Sequence, residues 1–125
     1  MNNNLTSTNV FKVEGNQFFT WLSLLSFKHK LTEKEVGVAS RFLDAYFKNK
    51  EKIINDDLLN EVTLSLESKR KIREELQLTP TYFQIILKAL RDKRFIIDGK
   101  INQEFIPVFN QNNHIILTFL IKGSE

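Results

Sequence analysis

Two histidines and one pair of neighbouring aspartates are the side chains of this sequence best suited to metal binding or acid–base chemistry. His29 and His114 are each isolated from other ligand types, whereas a zinc site needs three or four ligands together. Asp56 and Asp57 are adjacent, so their carboxylates diverge on a helix and do not form an acid and base pair. The four glycines are too scattered for a phosphate-binding loop, and there is no cysteine. We therefore expect no enzyme activity, no catalytic residue, no metal site and no cofactor.

The overall composition is that of one small domain. A chain of 125 residues with 42% hydrophobic content has material for one core and not for two. The longest apolar runs are interrupted by Ser or Thr and are much shorter than a membrane span. The first residues do not show a basic region followed by an apolar run, which is the pattern of a secretory signal. We expect an intracellular protein with no membrane segment and no small-molecule substrate.

Basic residues are concentrated in one segment of the chain. Residues 67–100 contain nine basic and five acidic residues, a net charge of +4, whereas the remainder holds nine basic and ten acidic residues. The whole chain carries a formal charge of +3 and a pI near 9.2. A local basic excess favours a nucleic-acid partner, although it is also common on solvated helices.

The same segment predicts two short helices, a turn and a hairpin. Residues 67–76 are rich in helix formers, and Thr79 followed by Pro80 is a typical N-cap and first helical position. Phe83 begins a stripe at i, i+3, i+4 and i+7, which predicts one buried helix face. Asp98-Gly99 is the signature of a two-residue hairpin turn of type I′. The order is therefore helix, turn, helix and ribbon.

The rest of the chain predicts helix and strand in separate places. Residues 1–9 are polar and without periodicity, which predicts a flexible arm. Residues 10–13 and 18–22, separated by a Gly-containing turn, predict an N-terminal β-hairpin. Thr32 and Glu35 form a capping-box pattern at the start of a helix to about Lys48. Residues 105–109 and 114–121 predict a C-terminal strand pair.

The motif resembles the winged helix-turn-helix family of bacterial and phage regulators. The resemblance rests on Ile72-Arg73-Glu74-Glu75-Leu76-Gln77-Leu78-Thr79 and on Leu90-Arg91-Asp92-Lys93-Arg94-Phe95-Ile96, which fit the family pattern without a gap. It implies an α+β fold: a winged helix-turn-helix core with an N-terminal β-hairpin and a C-terminal strand pair. In that arrangement residues 10–125 form a single domain, with the helix-turn-helix at 67–94 and the wing at 95–109.

The family resemblance implies that the chain binds duplex DNA through the helix that begins at Pro80. In such proteins the exposed face of this helix contacts base edges, and the preceding helix and the wing contact phosphates. Carried over by position, the DNA-binding residues are Lys69, Arg70, Lys71, Thr81, Tyr82, Gln84, Lys88, Arg91 and Lys100.

Several residues depart from the family pattern. Arg73 stands where a small residue lets the two helices approach, and Gln77 and Arg94 replace glycines, the first of which takes a positive φ in the turn. Ile85 lies off the buried stripe, and an exposed isoleucine suits a protein interface as well as a thymine methyl group. Further residues suited to a protein interface are Phe119 and Ile121 in the last strand.

A second resemblance, to small proteins of tailed bacteriophages, leaves an alternative open. It rests on the Asn-rich first residues, the motif and Asp98-Gly99-Lys100-Ile101-Asn102. As a DNA-binding protein the chain would act in the host cytoplasm. As a virion structural protein, at the head–tail connector or on the capsid, it would use the winged helix and the C-terminal strand to bind other virion proteins. In both cases we expect a homo-oligomer.

Overall fold

The structure, a computed structural model, describes residues 4–11, 17–112 and 115–122, and within these it describes the side chains of residues 17–112, 115 and 116. The fold is of mixed α+β type, with helices and antiparallel strands. The chain divides into two compact units, Asn16–Ile106 and a second one made of Met1–Gly15 with Pro107–Glu125.

The first unit contains the helices and a short hairpin. Its elements in chain order are α1 (Gln17–His29), α2 (Glu33–Lys50), α3 (Asp56–Thr63), α4 (Leu66–Glu75), α5 (Pro80–Asp92), β2 (Ile96–Ile97), β3 (Lys100–Ile101) and a 3₁₀ turn (Gln103–Phe105). The second unit is a three-stranded antiparallel sheet. Its strands are β1 (Asn4–Phe11), β4 (Val108–Phe109) and β5 (Ile115–Lys122), in the order β1-β5-β4.

Side-chain caps fix where the helices begin. Thr32 accepts a hydrogen bond from the Glu35 amide at 3.3 Å, and the Glu35 carboxylate accepts one from the Thr32 amide, so the predicted capping box is confirmed. Thr79 likewise accepts a hydrogen bond from the Tyr82 amide at 3.2 Å, with Pro80 as the first helical residue. The caps at Thr32 and Thr79 confirm the sequence predictions at these two positions. Helix α3 begins in the same way, after the N-cap residue Asn55.

The core of the helical unit is built on the predicted apolar stripe of α5. All four stripe residues are buried, and they meet apolar side chains of α2 and the aromatic rings that follow α5. The largest fully buried apolar side chains are Leu22, Val38, Phe42, Leu43, Leu87, Leu90, Phe95 and Phe105. Because this core holds α5 by one face, its opposite face is directed to solvent.

Helices α4 and α5 both end in a left-handed residue that is not glycine. Gln77 has φ 54° and Arg94 has φ 69°. At the first site the amide of Leu78 donates to the carbonyl of Arg73 at 3.0 Å, and at the second the amide of Phe95 donates to the carbonyl of Leu90 at 2.8 Å. These are Schellman motifs, in which glycine is the usual residue. The backbone therefore turns sharply without glycine, at a cost of about 1–2 kcal/mol per residue.

The predicted hairpin at Asp98-Gly99 is confirmed. Both residues have positive φ, 51° and 74°, as a type I′ turn requires, and Ile96 pairs with Ile101 across the two strands. The hairpin is tied to α3 by Asn60, whose side chain is 3% exposed and whose carbonyl oxygen accepts the Ile101 amide at 2.9 Å. The Asn60 amide group in turn donates to the Asp56 carbonyl at 3.0 Å, so one buried side chain joins helix and strand.

The predicted N-terminal β-hairpin is wrong in its second arm. Residues 18–22 belong to α1, where Phe18, Trp21 and Leu22 lie on one buried face at i, i+3 and i+4. The Trp21 indole donates to the Phe105 carbonyl at 2.8 Å, a contact that fixes the helix on the core. Helical spacing of the buried residues therefore outweighs the strand preference of this aromatic segment. In the first arm, residues 10 and 11 lie in β1, and residues 12 and 13 lie outside the described residues.

The two ends of the chain meet in the sheet. Strand β1 pairs antiparallel with β5 from Asn4 opposite Lys122 to Phe11 opposite Ile115. Residues 4–9 of the predicted flexible arm thus lie in a strand, and residues 1–3 lie outside the described part. Strand β4 pairs with β5 through Val108 and Phe109, which confirms this part of the predicted C-terminal strand pair, whereas Phe105 ends a 3₁₀ turn and does not lie in a strand. The hairpin of the helical unit ends at Ile101, well before residue 109, where the predicted wing ends.

A partly buried ion pair joins the start of α2 to the end of α5. The Lys93 ammonium group donates to the Glu35 carboxylate and, at 2.8 Å, to the Lys30 carbonyl. The Glu35 and Lys93 side chains are 10% and 29% exposed. Burial raises the pKa of Glu35, but the hydrogen bonds from Lys93 and from the Thr32 amide outweigh it and hold the pKa below its ordinary value of 4.5.

We predict that Glu35→Gln destabilises the protein by about 1–2 kcal/mol at pH 7, because it removes the negative charge that pairs with Lys93. Glutamine preserves the capping box, so the loss reports the ion pair alone. A carboxyl group with a lowered folded-state pKa stabilises the protein above its unfolded pKa and loses that contribution as pH falls through the folded value. Urea unfolding of both proteins from pH 7 to pH 3 checks this. The difference should be constant well above pH 4.5 and decrease as the pH falls through the lowered folded-state pKa of Glu35. A difference that persists unchanged at pH 3 would contradict the ionic contribution.

Candidate nucleic-acid interface

The exposed face of α5 carries most of the predicted base-reading residues. Successive residues of a helix are about 100° apart, so Thr81, Ile85 and Lys88 lie along the middle of this face. Gln84 and Arg91 lie on its flank towards α4, and Tyr82 lies on the other flank. All six predicted residues of α5 are exposed, and Ile85 is 58% exposed. The helix therefore presents them to a partner, although Tyr82 points away from Gln84.

The side chains of the three consecutive basic residues 69–71, which were predicted to act together, point in different directions from α4. Lys69 is half-buried on the side of α4 that faces α5, whereas Arg70 and Lys71 are exposed. With about 100° between neighbours, Lys71 points almost opposite to Lys69. One bound phosphate group cannot contact all three residues. Of the phosphate contacts predicted for residues 69–71, only those of Lys69 and the neighbouring Arg70 can therefore be made together.

A narrow basic groove lies between α4 and the first turns of α5. Its volume is about 170 Å³, and it is lined by Leu66, Lys69, Arg70, Arg73, Pro80, Phe83 and Gln84. The groove places three basic side chains of α4 beside the amide of Gln84. Such a set can contact the phosphates of a nucleic acid while the glutamine donates to and accepts from a base edge.

A larger cleft lies on the other side of Lys69, next to the β2–β3 hairpin, and we call it the hairpin cleft. Its volume is about 680 Å³. It is lined by Glu61, Leu64, Ser65, Leu66, Lys69, Arg91, Ile96, Asp98 and Gly99. Lys69 and Leu66 line both the basic groove and the hairpin cleft, so the two depressions adjoin.

Several of the predicted DNA-binding cations are already neutralised within the chain. Arg70 pairs with Glu74 at 3.0 Å and with Glu67 at 3.3 Å, and Lys88 pairs with Asp92 at 2.9 Å. The side-chain hydrogen bond and charge of Glu74 raise the pKa of Arg70. These pairs lie along exposed helix faces, where they contribute little to stability, but they cancel charge that a phosphate would need.

The predicted wing residue Lys100 is also paired. Its ammonium group contacts the Asp57 carboxylate, and Asp56 lies 3.9 Å away. The hydrogen bond and charge of Asp57 raise the pKa of Lys100. The side chain therefore faces the start of α3, and the tip of the hairpin presents Asp98 and Gly99 instead. The structure does not bring Lys100 together with the basic residues of α4 and α5.

Lys69 and Arg91 differ from these paired cations. Within residues 17–112, the nitrogens of neither side chain lie within 4.0 Å of a carboxylate oxygen. Burial, and then repulsion from Arg91, lower the pKa of Lys69. Two positive charges that form no direct ion pair in these residues thus line the same cleft, and a bound anion would relieve their repulsion.

Four of the groove residues, Leu66, Arg73, Pro80 and Phe83, were not among the predicted contacts. Leu66, the first residue of α4, is 85% exposed, and Arg73 donates from its guanidinium group to the Leu78 carbonyl at 3.4 Å. The spacing of residues 66, 69 and 73 at i, i+3 and i+7 is the signal that places them on one side of α4. Arg73 lines the groove between α4 and α5.

The predicted protein-interface residues are described only in part. Ile85 is exposed on α5, whereas Phe119 and Ile121 lie in β5 opposite Ser7 and Leu5, and their side chains are outside the described part. In the described ranges, no three histidine or carboxylate side chains are grouped as metal ligands, and no helix is long and apolar enough to cross a membrane.

Comparison with models of protein families, with curated proteins and with solved structures gave no match. The arrangement of α4, α5 and the hairpin therefore has to be interpreted from its own residues.

Proposed function

We propose that the chain is a non-enzymatic winged helix-turn-helix protein that binds duplex DNA through α5 and the depressions on either side of Lys69. Helices α4 and α5 supply the helix-turn-helix, and the β2–β3 hairpin supplies a short wing. The observation that carries the proposal is the cation pair Lys69 and Arg91. In residues 17–112 these two cations form no direct ion pair, while the neighbouring cations Arg70 and Lys88 are paired.

In this proposal the residues have different tasks. Lys69 and Arg91 contact phosphates, and Gln84 contacts a base edge, for which adenine offers a matching donor and acceptor. Thr81 and Lys88 lie further along the same face, and Lys88 has to exchange Asp92 for the nucleic acid. Ile85 can contact a thymine methyl group in the major groove. In this proposal Lys100 and Lys71 do not contact the duplex directly.

A titration of a fluorescent 20-base-pair duplex tests the proposal. We expect binding at 50 mM salt and a loss of affinity of about tenfold to a hundredfold at 200 mM, as two to four phosphate contacts require. A duplex of unrelated sequence should show the same salt dependence, because phosphate contacts are independent of sequence. Absence of binding at 50 mM salt to every duplex tried would contradict the proposal.

An assembly role is the second candidate, and the backbone of the sheet favours it. Strand β1 is an edge strand of eight residues without a charged residue or proline, which are the usual protections of an edge. Strand β4 covers only residues 115 and 116 of β5. A second copy of the chain could add strands at these edges. The duplex titration separates the candidates, because an assembly protein would not bind the duplex, and light scattering then measures the size of the assembly that it forms. A place in a phage particle stays a prediction.

A further inference from the structure

We infer that the hairpin cleft is a binding site for a phosphate group, held between Lys69 and Arg91. Phosphate has the geometry and charge for this pair, since a guanidinium group donates two parallel hydrogen bonds and an ammonium group adds a point charge. The group can belong to the backbone of a duplex or to a free nucleoside monophosphate. Where it belongs to a duplex, the inference rests on the proposed function.

The first support is the location of the two cations. Lys69 projects from α4 and Arg91 from the last turn of α5, and both line a cleft of about 680 Å³. That volume lies in the range of small-molecule sites. Both side chains line this one cleft, and the positive charge of Arg91 contributes to the lowered pKa of Lys69. A phosphate between them would replace a repulsion by two attractions.

The second support is the rest of the lining. Leu64, Leu66 and Ile96 provide an apolar wall, as the sugar and base of a nucleotide require. The Ser65 hydroxyl already accepts the Ser68 amide at 3.2 Å, which leaves its own O–H group free to rotate towards a ligand oxygen.

The carboxylates in the cleft limit where a phosphate can lie. Glu61 and Asp98 also line it, and they would repel a phosphate placed next to them. They can accept hydrogen bonds from sugar hydroxyls or from the amino group of a base. A nucleoside monophosphate can therefore place its phosphate at the cations and its hydroxyl groups at the carboxylates.

Titration of the full chain with inorganic phosphate and with AMP tests the inference. The readout is the amide chemical shifts of Ser65, Lys69, Asp98 and Gly99. We expect saturable shifts at these amides, and a dissociation constant for AMP at least about tenfold weaker in the Lys69→Gln, Arg91→Gln double variant. The single variant Lys69→Arg should retain binding because it preserves the charge. Lys71→Gln is the matched control, since this exposed lysine of α4 does not line the cleft. Thermal unfolding confirms that each variant is folded.

A duplex titration of the same variants distinguishes the sources of the phosphate. Binding of AMP without binding of a duplex supports the cleft site and contradicts the proposed function. Binding of a duplex alone, weakened in the double variant, supports the cleft as a site for a backbone phosphate. The cleft site is overturned if neither AMP nor phosphate binds and the double variant binds the duplex as tightly as the wild-type chain. In that case residues other than Lys69 and Arg91 bind the duplex. Absence of all binding overturns both.

Discussion

Replacement of Lys69 and Arg91 by glutamine is expected to weaken duplex binding by about 100-fold at 50 mM salt. Each charge-assisted hydrogen bond to a phosphate contributes about 1.5 kcal/mol, and two such losses add to about 3 kcal/mol. Neither cation has a carboxylate oxygen within 4.0 Å in residues 17–112, so a phosphate can bind both without first breaking an ion pair. Fluorescence anisotropy with the labelled duplex measures the change.

The matched control removes the same number of charges from the same two helices. Arg70→Gln with Lys88→Gln breaks ion pairs with Glu74, Glu67 and Asp92, and these carboxylates then remain without their partners. We expect this control to lose about tenfold or less, because any contact of Arg70 or Lys88 with the nucleic acid first has to break an ion pair within the chain. If the two double variants lose the same affinity, net charge alone governs binding, and the special position of Lys69 and Arg91 is contradicted.

Asn60→Ala is expected to produce the largest loss of stability. It leaves the buried amide of Ile101 without an acceptor and removes the donor to the Asp56 carbonyl. The cost of an unsatisfied buried backbone group, with the lost hydrogen bond, is about 2–4 kcal/mol. Thermal unfolding should therefore show a decrease in Tm of about 10 °C or more.

The exposed residue Gln103, at the start of the 3₁₀ turn, provides the control for this prediction. Gln103→Ala should change Tm by less than about 2 °C, as surface substitutions usually do. If Asn60→Ala is as stable as the control, the hairpin is held by its apolar contacts, and the anchoring role of Asn60 is wrong.

Local signals predicted the motif well because each of them specifies the backbone directly. Thr79 with Pro80 marks the start of α5, and Asp98-Gly99 specifies a turn with two positive φ values. The residues Gln77 and Arg94 were predicted to replace glycines, and both adopt positive φ. A positive φ was expected from the pattern at the position of Gln77 alone, and at both positions the residue type itself disfavours this conformation.

The first helix was mispredicted because its sequence supports two interpretations. Phe18, Phe19, Thr20 and Trp21 are residues that favour strands, and the hydrophobic stripe of α1 is short. The decisive feature is the tertiary contact between the Trp21 indole and the Phe105 carbonyl, 84 residues away. A local pattern cannot contain that contact.

The sequence predicted which helices carry the candidate site, but it did not predict which of the basic residues form ion pairs within the chain. The pairs of Arg70 with Glu74 and of Lys88 with Asp92 have the i, i+4 spacing and can be found in the sequence. The pair of Lys100 with Asp57 joins a hairpin to a helix and depends on the fold. For the same reason, the proximity of Lys69 and Arg91 becomes visible only when α4 and α5 are packed together.

The dependence of duplex affinity on salt, compared between the wild-type chain and the Lys69→Gln, Arg91→Gln variant, tests the central claim most directly. A plot of log affinity against log salt has a slope of about −0.9 for each phosphate contacted. We predict that the slope becomes less steep by about two in the variant, because two phosphate contacts are lost. Parallel lines for the two proteins would contradict the claim that Lys69 and Arg91 contact the nucleic-acid backbone.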